Sequence, residues 1–211
     1  MNVVFDFGNV LFEWDPARLI EDHYAGLPTL VAGSRSAKML ADTLINHQDW
    51  MDFDLGLSDA ATVAERSSTR LSLDRGHMRT FVERIPHVLP TIDATIALFN
   101  GLADVAAAGG GHRLLYLSNM PASFVPVLTA RCPWIARFEG GIFSGHVNLA
   151  KPDAEIYALA EQQLNLIPAE TLFLDDSPRN VDAARARGWA AELITSPQSA
   201  RDALAKHRVL D

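Results

Sequence analysis

Polar side chains that could carry chemistry follow three short apolar segments of this 211-residue chain. Asp6 comes after NVVF, Ser118 and Asn119 come after RLLYL, and Asp175 and Asp176 come after TLFL. Short continuous apolar runs are typical of strands that are buried on both faces of a parallel sheet. Because the carboxyl ends of parallel strands meet at one edge of the sheet, these five residues are predicted to share a crevice there.

Three of these residues are acids, and their carboxylates would repel one another if they were gathered without a counter-charge. A hard divalent cation with oxygen ligands relieves that repulsion, and Mg²⁺ is the leading candidate. Each acid taken alone could instead cap the helix that follows it. The convergence of three strand ends favours the metal site.

Segments with helical periodicity separate the predicted strands. They cover residues 91–108, 122–130, 152–164, 178–187 and 197–206. Strands that alternate with helices in this way are typical of an α/β protein. We therefore predict a Rossmann-like, doubly wound parallel sheet.

An insertion is predicted between the first two strands, because the chain between them is far longer than the ~30 residues of a simple βαβ unit. Residues that commonly begin helices recur there, namely Asp15 before Pro16, Ser34, Ser58 with Asp59, and Ser72. We predict a helical cap at residues 15–88 and a core built from residues 1–14 and 89–211. His47 and Asp54 of the cap could reach a substrate hydroxyl group, although the sequence does not show where their side chains point.

The composition excludes several classes of protein. With 48% hydrophobic and 21% charged residues, the chain is neither disordered nor fibrous. Its 18 basic and 26 acidic residues, without any basic run, argue against a nucleic-acid partner. A single cysteine forms no intramolecular disulfide, and no apolar run reaches the ~18 residues of a membrane span. We expect a cytoplasmic protein that acts on a small molecule and has no membrane partner, while the oligomeric state stays open.

Four motifs carry a resemblance to a known family. In chain order they are VVFDFGNVL around Asp6, LLYLSN with Ser118, AKPDAEIY with Lys151, and LFLDDSPRNVDAA with Asp175 and Asp176. Because the four motifs occur in this order and on these predicted elements, the chain resembles the haloacid dehalogenase superfamily over nearly its whole length. In that superfamily an aspartate on the first strand usually performs phosphoryl transfer.

The resemblance implies a role for each motif residue. Asp6 would be the nucleophile that forms an aspartyl-phosphate, and Lys151 would offset the charge of the phosphate. The Ser118 hydroxyl group, the Asn119 backbone amide and Lys151 would bind phosphate oxygens. The implied Mg²⁺ ligands are the Asp6 carboxylate, the Gly8 carbonyl group and Asp176, with Asp175 and Asn180 in supporting positions.

Gly8 departs from the family pattern. Most phosphatases of the family carry a second aspartate at this position, two residues after the nucleophile. That acid protonates the leaving oxygen and then activates water, work that contributes ~10² to 10⁴-fold to the rate. Gly8 keeps the backbone carbonyl group, so the change removes an acid without deleting the magnesium ligand.

Three functions are compatible with these residues. The motif wording is most similar to a branch that contains sugar-phosphate phosphatases, including those acting on glucose 1-phosphate, and a phosphatase for a small phosphorylated metabolite is favoured. A 2-haloacid dehalogenase would use Asp6 without metal and would need no second aspartate. A noncatalytic binding protein of the same fold would also lack that acid. The adjacent acids Asp175 and Asp176 favour the phosphatase, because such a pair suits a cation.

Overall fold

A single parallel sheet forms the centre of the computed structural model, which describes residues 1–25 and 36–210. The strands are β1 (Asn2–Phe5), β2 (Arg113–Ser118), β3 (Gly140–Phe143), β4 (Thr171–Asp175) and β5 (Ala190–Leu193). They are ordered β3-β2-β1-β4-β5, and every neighbouring pair is parallel. The predicted α/β, Rossmann-like fold is therefore confirmed.

Both faces of the sheet are covered, as a doubly wound fold requires. Val3 and Phe5 of β1 belong to one apolar cluster, whereas Val4, which points to the opposite face, belongs to the other. All three side chains are fully buried. This double burial explains why the strand is a continuous apolar run with no polar residue alternating along it.

Six helices in the described part of the chain cover the two faces of the sheet. One precedes β2 and five follow it. They are α6 (Asp93–Ala107), α7 (Val125–Arg131), the short α8 (Ser144–Val147), α9 (Ala154–Gln163), α10 (Pro178–Ala186) and α11 (Pro197–Lys206). Phe99 of α6 and Leu204 of α11 lie in the cluster with Val3, and Ile156 of α9 and Val181 of α10 lie in the other. All five helices predicted for this region are present, with ends that differ by a few residues.

Two strands were not predicted. Strand β3 begins with two glycines, and a Cβ atom on Gly141 would lie 2.3 Å from the Tyr116 ring, so the close packing of β2 against β3 requires glycine there. Strand β5 has the sequence AAEL, which lacks the β-branched and aromatic residues that mark strands in a sequence.

Helices also fill the segment between β1 and β2. They are α1 (Pro16–Tyr24), α2 (Ala37–Ile45), α3 (Gln48–Asp54), α4 (Ala60–Leu71) and α5 (Arg75–Val88). Asp15 and Asp59 cap α1 and α4 as predicted, since each side chain accepts a hydrogen bond from a backbone N–H of its helix. The predicted helix start at Ser34 lies outside the described residues.

One predicted helix start in this segment is wrong. Ser72 ends α4 in the left-handed conformation, with φ of 55°, and Asp74 is the residue that caps α5. Helix α3 was not predicted, and its first turn is capped by the His47 ring, whose Nδ1 accepts a hydrogen bond from the Asp49 N–H. The division into a cap at 15–88 and a core remains a prediction. Across the described ranges, no helix has both the length and the apolar character that crossing a membrane requires.

Candidate active site

Asp6 lies at the carboxyl edge of the sheet, directly after the central strand β1. Its backbone N–H donates to the Leu174 carbonyl oxygen at 2.9 Å, which continues the pairing of β1 with β4 by one residue. The Phe7 N–H donates to Asp6 Oδ1 at 2.7 Å and fixes the orientation of the carboxylate. Asp6 is only 6% exposed, although it lines a cleft.

Lys151 bridges two carboxylates that belong to neighbouring strands. Its Nζ lies 2.8 Å from Asp6 Oδ1 and 2.7 Å from Asp175 Oδ2. The backbone of Lys151 is held in turn by Asn119, whose side-chain amide donates to the Lys151 carbonyl oxygen and accepts from its N–H, each at 2.9 Å. The side chain that follows β2 therefore positions the cation that faces β1 and β4.

The charges in this group shift one another's protonation. Burial raises the pKa of Asp6 to about 7, with Lys151 opposing the rise and Asp175 adding to it. Burial alone would lower the pKa of Lys151, but the two adjacent carboxylates outweigh it and raise that pKa above its ordinary value. Lys151 therefore stays charged, and its charge favours the ionised form of Asp6 that a nucleophile requires.

The two acids at the end of β4 have different surroundings. Asp175 is fully buried and accepts hydrogen bonds from Lys151, from the Ser177 N–H at 2.8 Å, and from Asn180 Nδ2 at 2.9 and 3.1 Å. Asp176 lines the cleft instead. Its Oδ2 accepts a 2.9 Å hydrogen bond from Asn9, and burial raises its pKa.

Asn9 is a site residue that the sequence analysis missed. Its amide donates to Asp176, and its Oδ1 accepts a 2.9 Å hydrogen bond from the Trp14 N–H. Asn9 has φ of 51°, a left-handed conformation that asparagine tolerates better than most residues. The only local signal for Asn9 is its position directly after Gly8 in the first motif.

The acids of this site fit a hard metal ion. Asp6, Asp175 and Asp176 each offer a carboxylate oxygen, and these oxygens lie within 4.8 Å of one another. The donor set consists of oxygens only, which is what Mg²⁺ prefers. Since the oxygens of Asp175 are already engaged in hydrogen bonds, Asp6 and Asp176 are the acids whose oxygens are available within the cleft.

The cleft has a volume of about 170 Å³. Its lining includes residues from all three predicted strand ends, namely Asp6, Ser118, Asn119 and Asp176, and it also includes Gly8, Lys151 and Asn180. Its walls are largely apolar, with Phe12, Trp14, Ile45, Trp50, Leu89 and Phe124. Ile45, Trp50 and the acid Asp54 come from α2 and α3, so helices of the inserted segment contribute to the same cleft.

Of the predicted site residues, only Asp175 does not line the cleft; it lies directly behind it and contacts Lys151 and Asn180. Of the two cap residues considered, Asp54 lines the cleft, whereas His47 is engaged in capping α3. Sequence analysis could not give the distances from Asp6 to Lys151 or from Asn9 to Asp176, because each of these pairs joins residues more than a hundred positions apart.

The family described as haloacid dehalogenase-like hydrolase matches residues 1–188. The chain belongs to this family. It is accordingly a hydrolase, as the sequence predicted, and the matched range contains every residue of the site.

Several curated relatives of this hydrolase carry phosphatase names. A sesquiterpene phosphatase from Aspergillus oryzae is 27% identical over 193 residues, which cover 91% of this chain and 88% of the relative. An N-acetylmuramic acid 6-phosphate phosphatase from Pseudomonas putida is 33% identical over 93 residues, which cover 43% of this chain and 42% of the relative.

Solved structures share the fold of this hydrolase. A family member from Bacteroides thetaiotaomicron, in complex with magnesium and inorganic phosphate, has a TM-score of 0.68 at 18% identity and covers 92% of this chain and 94% of its own. L-2-haloacid dehalogenase from Xanthobacter autotrophicus has a TM-score of 0.64 at 19% identity and covers 100% of this chain and 84% of its own. Because the TM-scores for these two proteins are similar, the fold alone does not distinguish a phosphatase from a dehalogenase.

Proposed function

We propose that this hydrolase is a magnesium-dependent phosphatase that removes phosphate from a small metabolite through an aspartyl-phosphate on Asp6. The observation that carries the proposal is the position of the Asp6 carboxylate, which lines the cleft while a buried Lys151 holds it at 2.8 Å. Asp176 and Asn9 lie in the same cleft. We infer that residues 15–88 act as a cap that closes over the substrate.

In the first chemical step, an oxygen of Asp6 attacks phosphorus, and the bond to the leaving oxygen breaks. Lys151 is close enough to Asp6 for its positive charge to stabilise the negative charge that develops on the transferring oxygens. The Ser118 hydroxyl group and the Asn119 backbone amide hold other phosphate oxygens. In the second step, water attacks the phosphorus of the aspartyl-phosphate, which releases inorganic phosphate and restores the Asp6 carboxylate.

The Asp6 and Asp176 carboxylates, with the Gly8 carbonyl oxygen, would hold Mg²⁺. When bound, this ion supplies positive charge that offsets the repulsion between an anionic nucleophile and an anionic phosphate. Asp175 and Asn180 support this group through their mutual hydrogen bonds, because they fix both the end of β4 and Lys151.

Two classes of phosphate ester are candidate substrates, and they differ in the leaving group. A sugar phosphate is the first candidate, on the wording of the motifs and the similarity to an N-acetylmuramic acid 6-phosphate phosphatase. A phosphate ester of a hydrocarbon alcohol is the second candidate. It is favoured by the apolar walls of the cleft, with Phe12, Trp14 and Trp50 among them, and by the similarity to a sesquiterpene phosphatase over 91% of the chain.

The test is phosphate release from a panel of sugar phosphates and prenyl or alkyl phosphates, with magnesium and with a chelator. The proposal predicts release that requires the metal, and the better class of ester identifies the substrate. A parallel assay measures halide release from 2-haloacids. Halide release that is indifferent to chelator would contradict the proposal in favour of a dehalogenase, and inactivity in both assays would contradict it in favour of a binding protein.

A further inference from the structure

The cleft contains one ionisable group to which the proposed reaction gives no role. Among the described residues that line it, the ionisable side chains are Asp6, Asp54, Lys151 and Asp176. The first is the nucleophile, Lys151 is paired with two carboxylates, and Asp176 belongs to the metal site. Asp54 alone remains.

The proposed reaction also lacks a group. An alkoxide leaving from phosphorus needs a proton, and the water of the second step must lose one. Gly8 has no side chain for either task. The backbone at this position is not what excludes an acid, because a Cβ atom on Gly8 would have Trp14 Cβ as its nearest neighbour, at 3.9 Å.

The backbone of Asp54 is fixed to the core. Asp54 is the last residue of α3, and its carbonyl oxygen accepts a 2.5 Å hydrogen bond from the Ser144 hydroxyl group. The same hydroxyl oxygen accepts from the Met120 N–H at 2.8 Å, in the loop that contributes Asn119 to the cleft. One residue further along, the Leu55 carbonyl oxygen accepts from Asn148 at 2.7 Å.

The side chain of Asp54 is free to serve a substrate. No described residue forms a hydrogen bond or an ion pair with its carboxyl group, whereas its neighbour Asp52 on the same helix is bonded to Gln48. Burial raises the pKa of Asp54 to about 7. A carboxyl group in this condition exchanges its proton near neutral pH, which suits a group that must act first as acid and then as base.

We propose that Asp54 is the general acid and base of this hydrolase and performs from α3 the work of the aspartate that Gly8 replaces. The inference rests on the proposed phosphatase function. As the bond between phosphorus and the leaving oxygen breaks, the Asp54 carboxyl group gives its proton to that oxygen, and an alcohol departs. The resulting Asp54 carboxylate then takes a proton from the water that attacks the aspartyl-phosphate, so phosphate leaves and Asp54 is protonated again.

The test compares two esters of similar shape whose leaving groups differ in their need for a proton. Para-nitrobenzyl phosphate releases a weakly acidic alcohol, whereas para-nitrophenyl phosphate releases a phenolate that is stable without protonation. The measured quantity is kcat/KM, which reports the steps up to formation of the aspartyl-phosphate. For Asp54→Asn we expect a loss of about 100- to 10,000-fold with the benzyl ester and little change with the phenyl ester.

Two further variants sharpen the result. Asp52→Asn makes the same chemical change two positions earlier on α3, outside the cleft lining, and should leave both esters unaffected. Gly8→Asp combined with Asp54→Asn returns an acid to the family position, where space exists for it, and should recover part of the lost activity with the benzyl ester.

The outcomes separate the two proposals. Equal losses for both esters in Asp54→Asn, or no loss for either, would overturn the role of Asp54 and leave the phosphatase function standing. A wild-type protein that hydrolyses neither these esters nor any phosphate of the metabolite panel would overturn both. Selective loss with the benzyl ester, with partial recovery in the double variant, would support the assignment.

Discussion

The side-chain amide of Asn119 forms two hydrogen bonds of 2.9 Å with the backbone of Lys151, one to its N–H and one to its carbonyl oxygen. This pair joins the loop after β2 to the segment that precedes α9. Its consequence is that the Lys151 ammonium group is delivered between Asp6 and Asp175 by a residue from a third part of the chain. Charge balance at the sheet edge therefore depends on contacts between segments far apart in sequence.

Removing the Lys151 charge should destabilise the fold. Lys151→Met leaves the buried carboxylates of Asp6 and Asp175 without their cation, and breaking a buried ion pair in this way costs about 3–5 kcal/mol. The measurement is the free energy of unfolding from urea titration. Lys206→Met is the control, because Lys206 pairs with Glu192 at an exposed site where the loss should stay below about 1 kcal/mol. Equal losses in the two variants would contradict the structural role of Lys151.

Asp176 should control the stabilisation of the protein by magnesium. A ligand that binds only the folded state raises its melting temperature, so Mg²⁺ should stabilise the wild-type protein in a thermal scan. Asp176→Asn removes a carboxylate from the metal site, and we expect most of that shift to disappear. Asp182→Asn, an exposed acid in the neighbouring α10, should keep the full shift. An unchanged shift in Asp176→Asn would place the ion elsewhere.

Asp54 should make stability depend on pH. Its pKa is raised from 3.8 to about 7 in the folded state, so the folded protein holds this proton over a pH range where the unfolded chain has lost it. The resulting penalty is a loss in the free energy of unfolding. It is absent below pH 3.8, grows as the pH rises from 3.8 to about 7, and is complete above pH 7. Asp54→Asn abolishes the penalty.

The check is the difference in unfolding free energy between Asp54→Asn and the wild type at about pH 5 and about pH 8. We expect the variant to gain stability relative to the wild type at the higher pH, by at most about 3 kcal/mol more than at the lower pH. Other titrating groups are common to both proteins and cancel in the difference. A constant difference across this range would show that the Asp54 pKa is not raised.

Gly56 should resist substitution because α3 and the core approach each other closely there. It has φ of +70°, and a Cβ atom on it would lie 2.2 Å from the Gly145 carbonyl oxygen. Gly56→Ala should therefore lower the free energy of unfolding by more than the about 1–2 kcal/mol of a left-handed residue alone. Gly101→Ala is the matched control within α6, where nothing lies within 4 Å, and should raise stability by about 0.5–1 kcal/mol. Similar effects in both variants would refute the close approach.

The sequence was sufficient to predict the residues at the sheet edge, but it was insufficient to predict which cap residues reach the cleft. Each of β1, β2 and β4 is a buried apolar run that ends on a polar residue, so local pattern predicted both the strands and their grouping of Asp6, Ser118 and Asp175. Strand β5 was not predicted, because its residues are poor strand formers. The place of Asp54 depends on its hydrogen bond with Ser144, a contact that spans 90 positions and leaves no local pattern.

The most direct test of the central claim is phosphate release by Asp6→Asn beside the wild-type protein, measured with magnesium and with a chelator on the best ester of the panel. Asp42→Asn serves as the control, since it makes the same change at an exposed acid on α2. The account predicts magnesium-dependent release by the wild type and by Asp42→Asn, and its loss in Asp6→Asn while the melting transition stays cooperative. Release at the wild-type rate by Asp6→Asn would contradict the assignment of Asp6 as the nucleophile.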